Sequence, residues 1–338
     1  MLRERPAARR RRGKRAPAVG SGTRHVPVPD LRRRAAEGGF GDDRRLSAMP
    51  EDERDIWAEW LAEGRSGGDA EVRRAQVEEL APVREKVLDR SSLAPGETLL
   101  DVGCGEGLIG FGALERGAGQ VIFSEVSEYL LGACREAADH LGASDRCSFV
   151  RAPAEDLHGV GDDTVDVVTT RSVLIYVAAK DKAFREFFRV LKPGGRISLF
   201  EPINRFGMEE RRQGFWSYPG DGLSDLARRI EGVFTAIQPL SDPMLDFDER
   251  DLVALAEQAG FFPIELELRA EIRSTKPLPW DAFLNISGNP KIPTFSQAME
   301  QALTPDERRR VSDHLRPLVE QGRGVWREAH AYLTAVKP

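Results

Sequence analysis

Three glycines at alternate positions, Gly103, Gly105 and Gly107, follow the segment Leu99-Leu100-Asp101-Val102 and constrain this chain more than any other feature. The pattern reads as a buried strand that breaks into a tight turn and reopens as a helix. Glycine serves where the backbone must take positive φ or let a ligand come close. A helix that starts just past such a turn offers unpaired N–H groups to an anionic ligand group. The turn therefore predicts a nucleotide-like ligand at the end of the first strand of an α/β sheet.

Two ligand classes compete for that turn. Gly105-x-Gly107-x-x-Gly110 matches a dinucleotide fingerprint, and Glu125, an acid about twenty residues on, fits a ribose hydroxyl. Asp101, however, stands where a pyrophosphate would sit, and like charges there repel. A carboxylate suits a ligand that bears an ammonium group. S-adenosylmethionine carries an ammonium, a sulfonium and a ribose, without phosphate.

Downstream the chain alternates. Val121-Ile122-Phe123-Ser124-Glu125 reads as a second strand, with Ser127 capping the helix after it. Cys147 to Val150 reads as a third, Val165-Asp166-Val167-Val168 as a fourth, and Ile197-Ser198-Leu199-Phe200-Glu201 as a fifth. Phe184, Phe187, Phe188 and Leu191 recur at helical spacing, and Pro193-Gly194-Gly195 stops that helix. A further helix runs from Asp248 to Gly260, followed by strands at Ile264 to Leu268 and Ala329 to Thr334. Such alternation predicts a parallel sheet with helices on both faces. Ligands of these sheets bind beyond the carboxyl ends of the strands. That lines Asp101, Glu125, residues 154–156, Arg171 and Glu201 along one rim.

The 338 residues, 41% apolar and 31% charged, suffice for a large core or two modest domains. No apolar run reaches the ~18 residues of a spanning helix. The three cysteines, Cys104, Cys134 and Cys147, lack metal-ligand spacing, so no metal is expected, and their odd number suits a reducing, cytoplasmic compartment. Charge is uneven. Residues 1–34 hold twelve Lys or Arg against two acids, so with a whole-chain net of −6 the remainder carries −16. Residues 1–45 are expected to form a basic, disordered tail, and the acidic body argues against a broad nucleic-acid surface. Residues 46–94 read as two helices. The first covers 51–63 with Ile56, Trp57, Trp60 and Leu61 on one face; the second runs from about 70 to 90 behind Asp69 as its cap.

Several segments taken together carry a resemblance. The order acid-x-Gly-x-Gly-x-Gly at Asp101 to Gly107, the acid Glu125, Ala154-Glu155-Asp156, and Leu191-Lys192-Pro193-Gly194-Gly195 before the fifth strand resemble the class I S-adenosylmethionine-dependent methyltransferases, small-molecule type. The resemblance covers residues 95–205 and extends more weakly to 273 and at the C-terminus. It implies a doubly wound, mostly parallel seven-stranded Rossmann-like α/β sheet whose last strand is antiparallel. It also implies a helical lid over 46–94, the methyltransferase domain over 95–338, and substrate-side helical insertions at 202–246 and 274–323. S-adenosyl-L-methionine is the implied cofactor and a small molecule the implied methyl acceptor.

Carried onto this chain, the resemblance implies that Gly103, Cys104, Gly105 and Gly107 shape the backbone around the methionine part of the cofactor. Asp101 would orient the ammonium, and Glu125, with Val126 beside it, would take both ribose hydroxyls, a bidentate task suited to a carboxylate. Pro153 precedes Ala154 where many relatives have an acid, so Ala154 and Glu155 are the expected adenine contacts. Arg171 and Arg84 are candidates for the cofactor carboxylate. Glu201 is the candidate base, with Tyr176 and Arg171 beside the donor. Asn204, Arg205, Trp216, Tyr218, Trp280 and Asn285 are expected to meet the acceptor. The aromatic insertions favour an aromatic or heterocyclic specialised metabolite. The Asn/Asp-Pro-Pro-aromatic tetrad of amino-methylating enzymes is absent at Thr169-Thr170-Arg171-Ser172. Three alternatives stay open at this point: a nucleic-acid or protein methyltransferase using the basic tail, an NAD-dependent oxidoreductase, and a non-catalytic binding protein. The oligomeric state is not legible in the sequence.

Overall fold

Seven strands join into one sheet in the computed structural model, which describes residues 55–208, 210 and 214–338. The expected basic tail and the start of the expected lid lie outside the described residues. Strands β1 (Thr98–Val102), β2 (Gln120–Glu125), β3 (Cys147–Arg151), β4 (Val165–Arg171) and β5 (Leu191–Pro202) pair in parallel. After β6 (Ile264–Ser274), strand β7 (Val325–Val336) enters antiparallel between β5 and β6. The order is β3-β2-β1-β4-β5-β7-β6, the expected mostly parallel Rossmann-like arrangement. Crossovers diverge on either side of β1 and β4, which opens a crevice at the carboxyl ends of those strands.

Local chemistry explains where the helices begin and end. The lid starts with α1 (Ile56–Glu59), where the Asp55 side chain accepts from the N–H of Trp57 and Ala58. Helix α2 (Ala70–Arg90) begins behind Asp69, whose carboxylate accepts from Glu71 and Val72 N–H. Helix α3 (Leu108–Glu115) opens directly from Gly107, and α4 (Glu128–Leu141) is capped by Ser127. Helix α5 (Lys180–Val190) sinks Phe184 and Phe187 into the core, each adding about 1.5–3 kcal/mol by burial. After α6 (Ser224–Ile237), helix α7 (Glu249–Ala259) carries an Asp248/Asp251 capping box and ends on left-handed Gly260. Two apolar clusters cover the two sheet faces, one built around α5 and α7, the other around α2, α3 and α4.

Three expectations are corrected. The single helix over 51–63 becomes α1 followed by a π turn at Trp60–Gly64, so its apolar face is rotated partway along. Pro193-Gly194-Gly195 does not precede β5 but lies within it as a bulge, because Leu191 pairs with Val165 and the register resumes at Arg196 with Val167. Strands β6 and β7 run past their alternating apolar stretches, to Ser274 and from Val325, because each supplies the other's hydrogen bonds over eleven residue pairs.

The two insertions fold against each other. Helix α6 from the first packs with α8 (Trp280–Asn285), α9 (Phe295–Ala302) and α10 (Pro305–Glu320) from the second. Their shared core is aromatic: Phe283 and Phe295 rings stand 5.0 Å apart and Trp216 and Phe295 rings 5.1 Å apart. No described helix is long and apolar enough to cross a membrane.

Candidate active site

The rim begins where β1 ends. Gly103, Gly105 and Gly107 all take left-handed backbone, with φ of 62°, 54° and 83°. A Cβ on Gly103 would stand 2.5 Å from Val173, which a side chain cannot do. Gly105 differs. Among the described residues, a Cβ there would meet within 4 Å nothing but Leu61 Cδ1 of the lid, at 3.9 Å. The loop therefore opens onto a small roofed space, as a cradle for a ligand requires. Beneath it, the Cys134 thiol donates to the Gly105 carbonyl at 3.3 Å. Burial holds the Cys104 thiol far above its usual pKa, so it supports the loop as a neutral group.

Asp101 is 2% exposed. Its Oδ2 accepts from Gly110 N–H at 2.9 Å and its Oδ1 from the Thr169 hydroxyl at 3.2 Å, which ties α3 to β4. Burial pushes this carboxyl up to about 7, with Gly110, Thr169 and the Arg171 charge pulling the other way. A carboxylate has about four acceptor positions, so it can take one more donor. Glu125 joins the same loop to the start of α4. Its Oε2 accepts from Gly105 N–H at 2.9 Å, and its Oε1 from Val126 at 2.8 Å and Ser127 at 3.3 Å. Burial raises its pKa as well. Val126 is exposed on the rim, Ala154 is buried past β3, and Glu155 is partly exposed beside it. Two carboxyls under the turn oppose a pyrophosphate and fit the ammonium and ribose of S-adenosylmethionine.

Two guanidiniums, Arg171 at the end of β4 and Arg65 at the end of the π turn, feel each other's charge. Desolvation pulls Arg171 down to about 10, and the like charge of Arg65 adds to that. Arg65 is lowered too, by burial, against the opposing charge of Glu106. Tyr176 lies in the short turn Leu174–Tyr176 with its ring edge-on to Trp57 of α1, 4.9 Å between centroids. Burial first, then the two arginines in opposition, leave its hydroxyl at about 12. A pair of partly desolvated cations of this kind fits a carboxylate ligand. Arg73 of α2 clamps the roof onto the loop, reaching Ala62 O and Glu106, both at 3.3 Å. Arg65, Arg73 and Glu106 were not among the expected residues. Arg65 closes a π turn that helical periodicity does not forecast, and the only available signal was an acid inside the glycine loop.

Glu201 is fully buried at the end of β5. Its Oε1 accepts from the Thr170 hydroxyl at 2.8 Å and Val173 N–H at 3.1 Å, while Oε2 finds no hydrogen-bond partner among the described residues. Burial pushes the group up to about 7. The carboxyl expected to act as a base on the open rim is thus turned inward, where it holds the turn that carries Tyr176.

Of the remaining expected contacts, Arg84, Tyr218 and Trp280 are drawn into other packing. Arg84 is drawn to Glu85 and, at 3.8 Å, to Glu115 at the far end of α3, so the structure does not bring it to the rim. Tyr218 and Trp280 are core residues of the insertion, 4% and 8% exposed, because their rings complete its aromatic packing. Trp216 joins that packing with a left-handed backbone, φ 57°. Asn204 and Arg205 form the turn after β5, and Asn285 closes α8 with its amide donating to Asp281 O. The insertion does reach the lid. Ser287 N–H donates to Gly64 O and Trp60 Nε1–H donates to Ser287 O, both at 2.9 Å. Among the described residues, no group of three or more His, Cys, Asp or Glu could hold a metal.

Residues 100–199 match the family described as methyltransferase domain. The chain is similar to the ubiquinone/menaquinone biosynthesis C-methyltransferase UbiE of Escherichia coli, with 29% identity over 181 residues, 53% of this chain and 71% of that enzyme. Among solved structures, the YcgJ protein from Bacillus subtilis is similar at 15% identity and a TM-score of 0.47, over 75% of this chain and 97% of that one. The [4+2]-cyclase SpnF is similar at 21% identity and 0.44, over 76% and 81%.

Proposed function

We propose that this chain, a class I S-adenosylmethionine-dependent methyltransferase on a Rossmann-like sheet, methylates an aromatic or heterocyclic specialised metabolite in the cytoplasm. One observation carries the acceptor assignment. The donor rim is roofed by the lid, and the lid is hydrogen-bonded to the aromatic insertion through Ser287. A small ring fits beneath such a cover better than a nucleic acid or a folded protein does. The Escherichia coli relative, a C-methyltransferase of ubiquinone/menaquinone biosynthesis, supports a ring acceptor.

When bound, S-adenosylmethionine supplies a methyl group on a sulfonium, whose leaving group needs no further activation. The chain's part is then alignment and exclusion of water, which contribute about 7–11 kcal/mol where reactants are held in line. In this reading Asp101 takes the ammonium, Glu125 the ribose hydroxyls, Arg171 and Arg65 the carboxylate, and Ala154 with Glu155 the adenine. Glu201 acts through the Val173 turn as a positioning residue for Tyr176, which lines the donor side together with Arg171. Asn204, Arg205 and the insertion surface around Trp216 and Asn285 border the acceptor.

The test is a titration of S-adenosylhomocysteine followed by transfer of labelled methyl to ring-bearing small molecules, RNA and protein in parallel. Binding with label in a small ring supports the reading. Absence of binding, or label confined to RNA or protein, overturns it.

A further inference from the structure

We propose that the free edge of β6 is a two-fold interface, at which a second copy of this chain pairs antiparallel about Ala270 and continues the sheet. Strand β6 spans eleven residues and, among the described residues, bonds to β7 alone within the sheet. Its ladder fixes which groups point outward. Thr275 N–H donates to Gly324 O at 3.1 Å, and Val336 N–H to Pro263 O at 3.2 Å, so odd-numbered residues turn their main chain towards β7. By the alternation of an antiparallel ladder, Leu266, Leu268, Ala270, Ile272 and Ser274 present N–H and C=O to the open side. The side chains there are exposed too, Leu268 at 43% and Ile272 at 63%. Long edges of this kind are templates for another strand.

The charge pattern selects the occupant. Glu265, Glu267, Arg269, Glu271 and Arg273 share one side of β6; Glu265 and Glu267 also pair with Arg90 and Lys86 and Arg273 with Glu328, while the Arg269 and Glu271 side chains are 61% and 34% exposed. Pairing about Ala270 sets Arg269 opposite the partner subunit's Glu271, and Glu267 opposite the partner subunit's Arg273. On the other side it sets Leu268 opposite the partner subunit's Ile272. All of these are favourable directly opposed pairs. Centring on Leu268 instead would set Glu265 against the partner's Glu271. Centring on Ile272 would shorten the pairing and set Leu268 against the partner's Lys276. The pattern is self-complementary in the one register that also uses the whole outward ladder, as an isologous interface requires.

Light scattering on the full chain after size exclusion tests this. The wild-type protein is expected to be a dimer. Arg269→Glu and Glu271→Arg, each alone, set like charges across the axis and should weaken the dimer about tenfold or more. Mixing the two variants in equal amounts should restore it, since each then meets its complement. The exposed Arg269–Glu271 pair within one chain is broken in both variants and stays broken on mixing, so it cannot produce that rescue. Ala270→Pro removes one outward N–H and should give a monomer that still binds S-adenosylhomocysteine. A wild-type monomer at every concentration, including one whose edge captures an extended peptide instead, overturns the proposal. So does a dimer indifferent to Ala270→Pro and to mixing.

Discussion

The donor rim and the aromatic insertion are built by opposite means. At the rim, three left-handed glycines and the buried carboxyls of Asp101, Glu125 and Glu201 crowd a few turns. Each of these carboxyls accepts from a main-chain N–H, and Asp101 and Glu201 also from a threonine hydroxyl. In the insertion, the core is rings and aliphatic side chains, held by volume and edge contacts. A rim residue thus has a conformational reason to be what it is, whereas an insertion residue has a space to fill. Donor recognition should therefore be sensitive to single atoms, and the insertion to lost bulk.

The largest expected effect lies in the insertion. Phe295→Ala removes a fully buried ring and should cost about 3–5 kcal/mol in denaturant unfolding, while the folded fraction keeps its affinity for S-adenosylhomocysteine. An affinity that collapses together with stability would break the contrast. At the rim, Glu125→Ala strips the loop of a carboxylate that three N–H groups share, and should weaken donor binding about 100-fold with a smaller loss of stability. Arg65→Ala should weaken the same binding about tenfold and leave the unfolding midpoint in place; calorimetry reads both variants.

The smallest effect sharpens the comparison through pH. The carboxyls of Asp101 and Glu201 sit at about 7 in the folded chain, above the unfolded value of about 4. Between those limits the folded chain binds more protons than the unfolded one. Stability should therefore fall as pH rises from about 4 to about 7, then level off. Glu201→Gln, which cannot ionise, should flatten part of that slope in melting curves, whereas Phe295→Ala should shift the curve without changing its shape.

The same contrast decides what was legible in the sequence. The glycine loop, Ser127, Asp69 and Asp248 were readable because turns and caps demand particular residues at particular spacings, and the resemblance those motifs carry implied a mostly parallel seven-stranded sheet. Arg65 was not readable, since its approach to Arg171 depends on a π turn and on a lid folded back over the loop. Tyr218 and Trp280 drew attention as aromatics, yet a ring's sequence position does not tell a core wall from a binding wall. Glu201 was readable as a strand-end acid, but the inward turn of its carboxyl depends on the backbone of residues 173–176, which no local pattern specifies.

Strand β7 is the last of the seven to be synthesised, yet it lies inside the sheet between β5 and β6. Until it emerges, those two strands have no ladder to share, and the helices of the second insertion hang from an unfinished scaffold. Closing the sheet therefore spans more than a hundred residues from β5 to β7, a non-local step that is slow in chains of high contact order. During that interval the nascent chain exposes apolar strand surface, the condition in which a folding chain is most prone to aggregate.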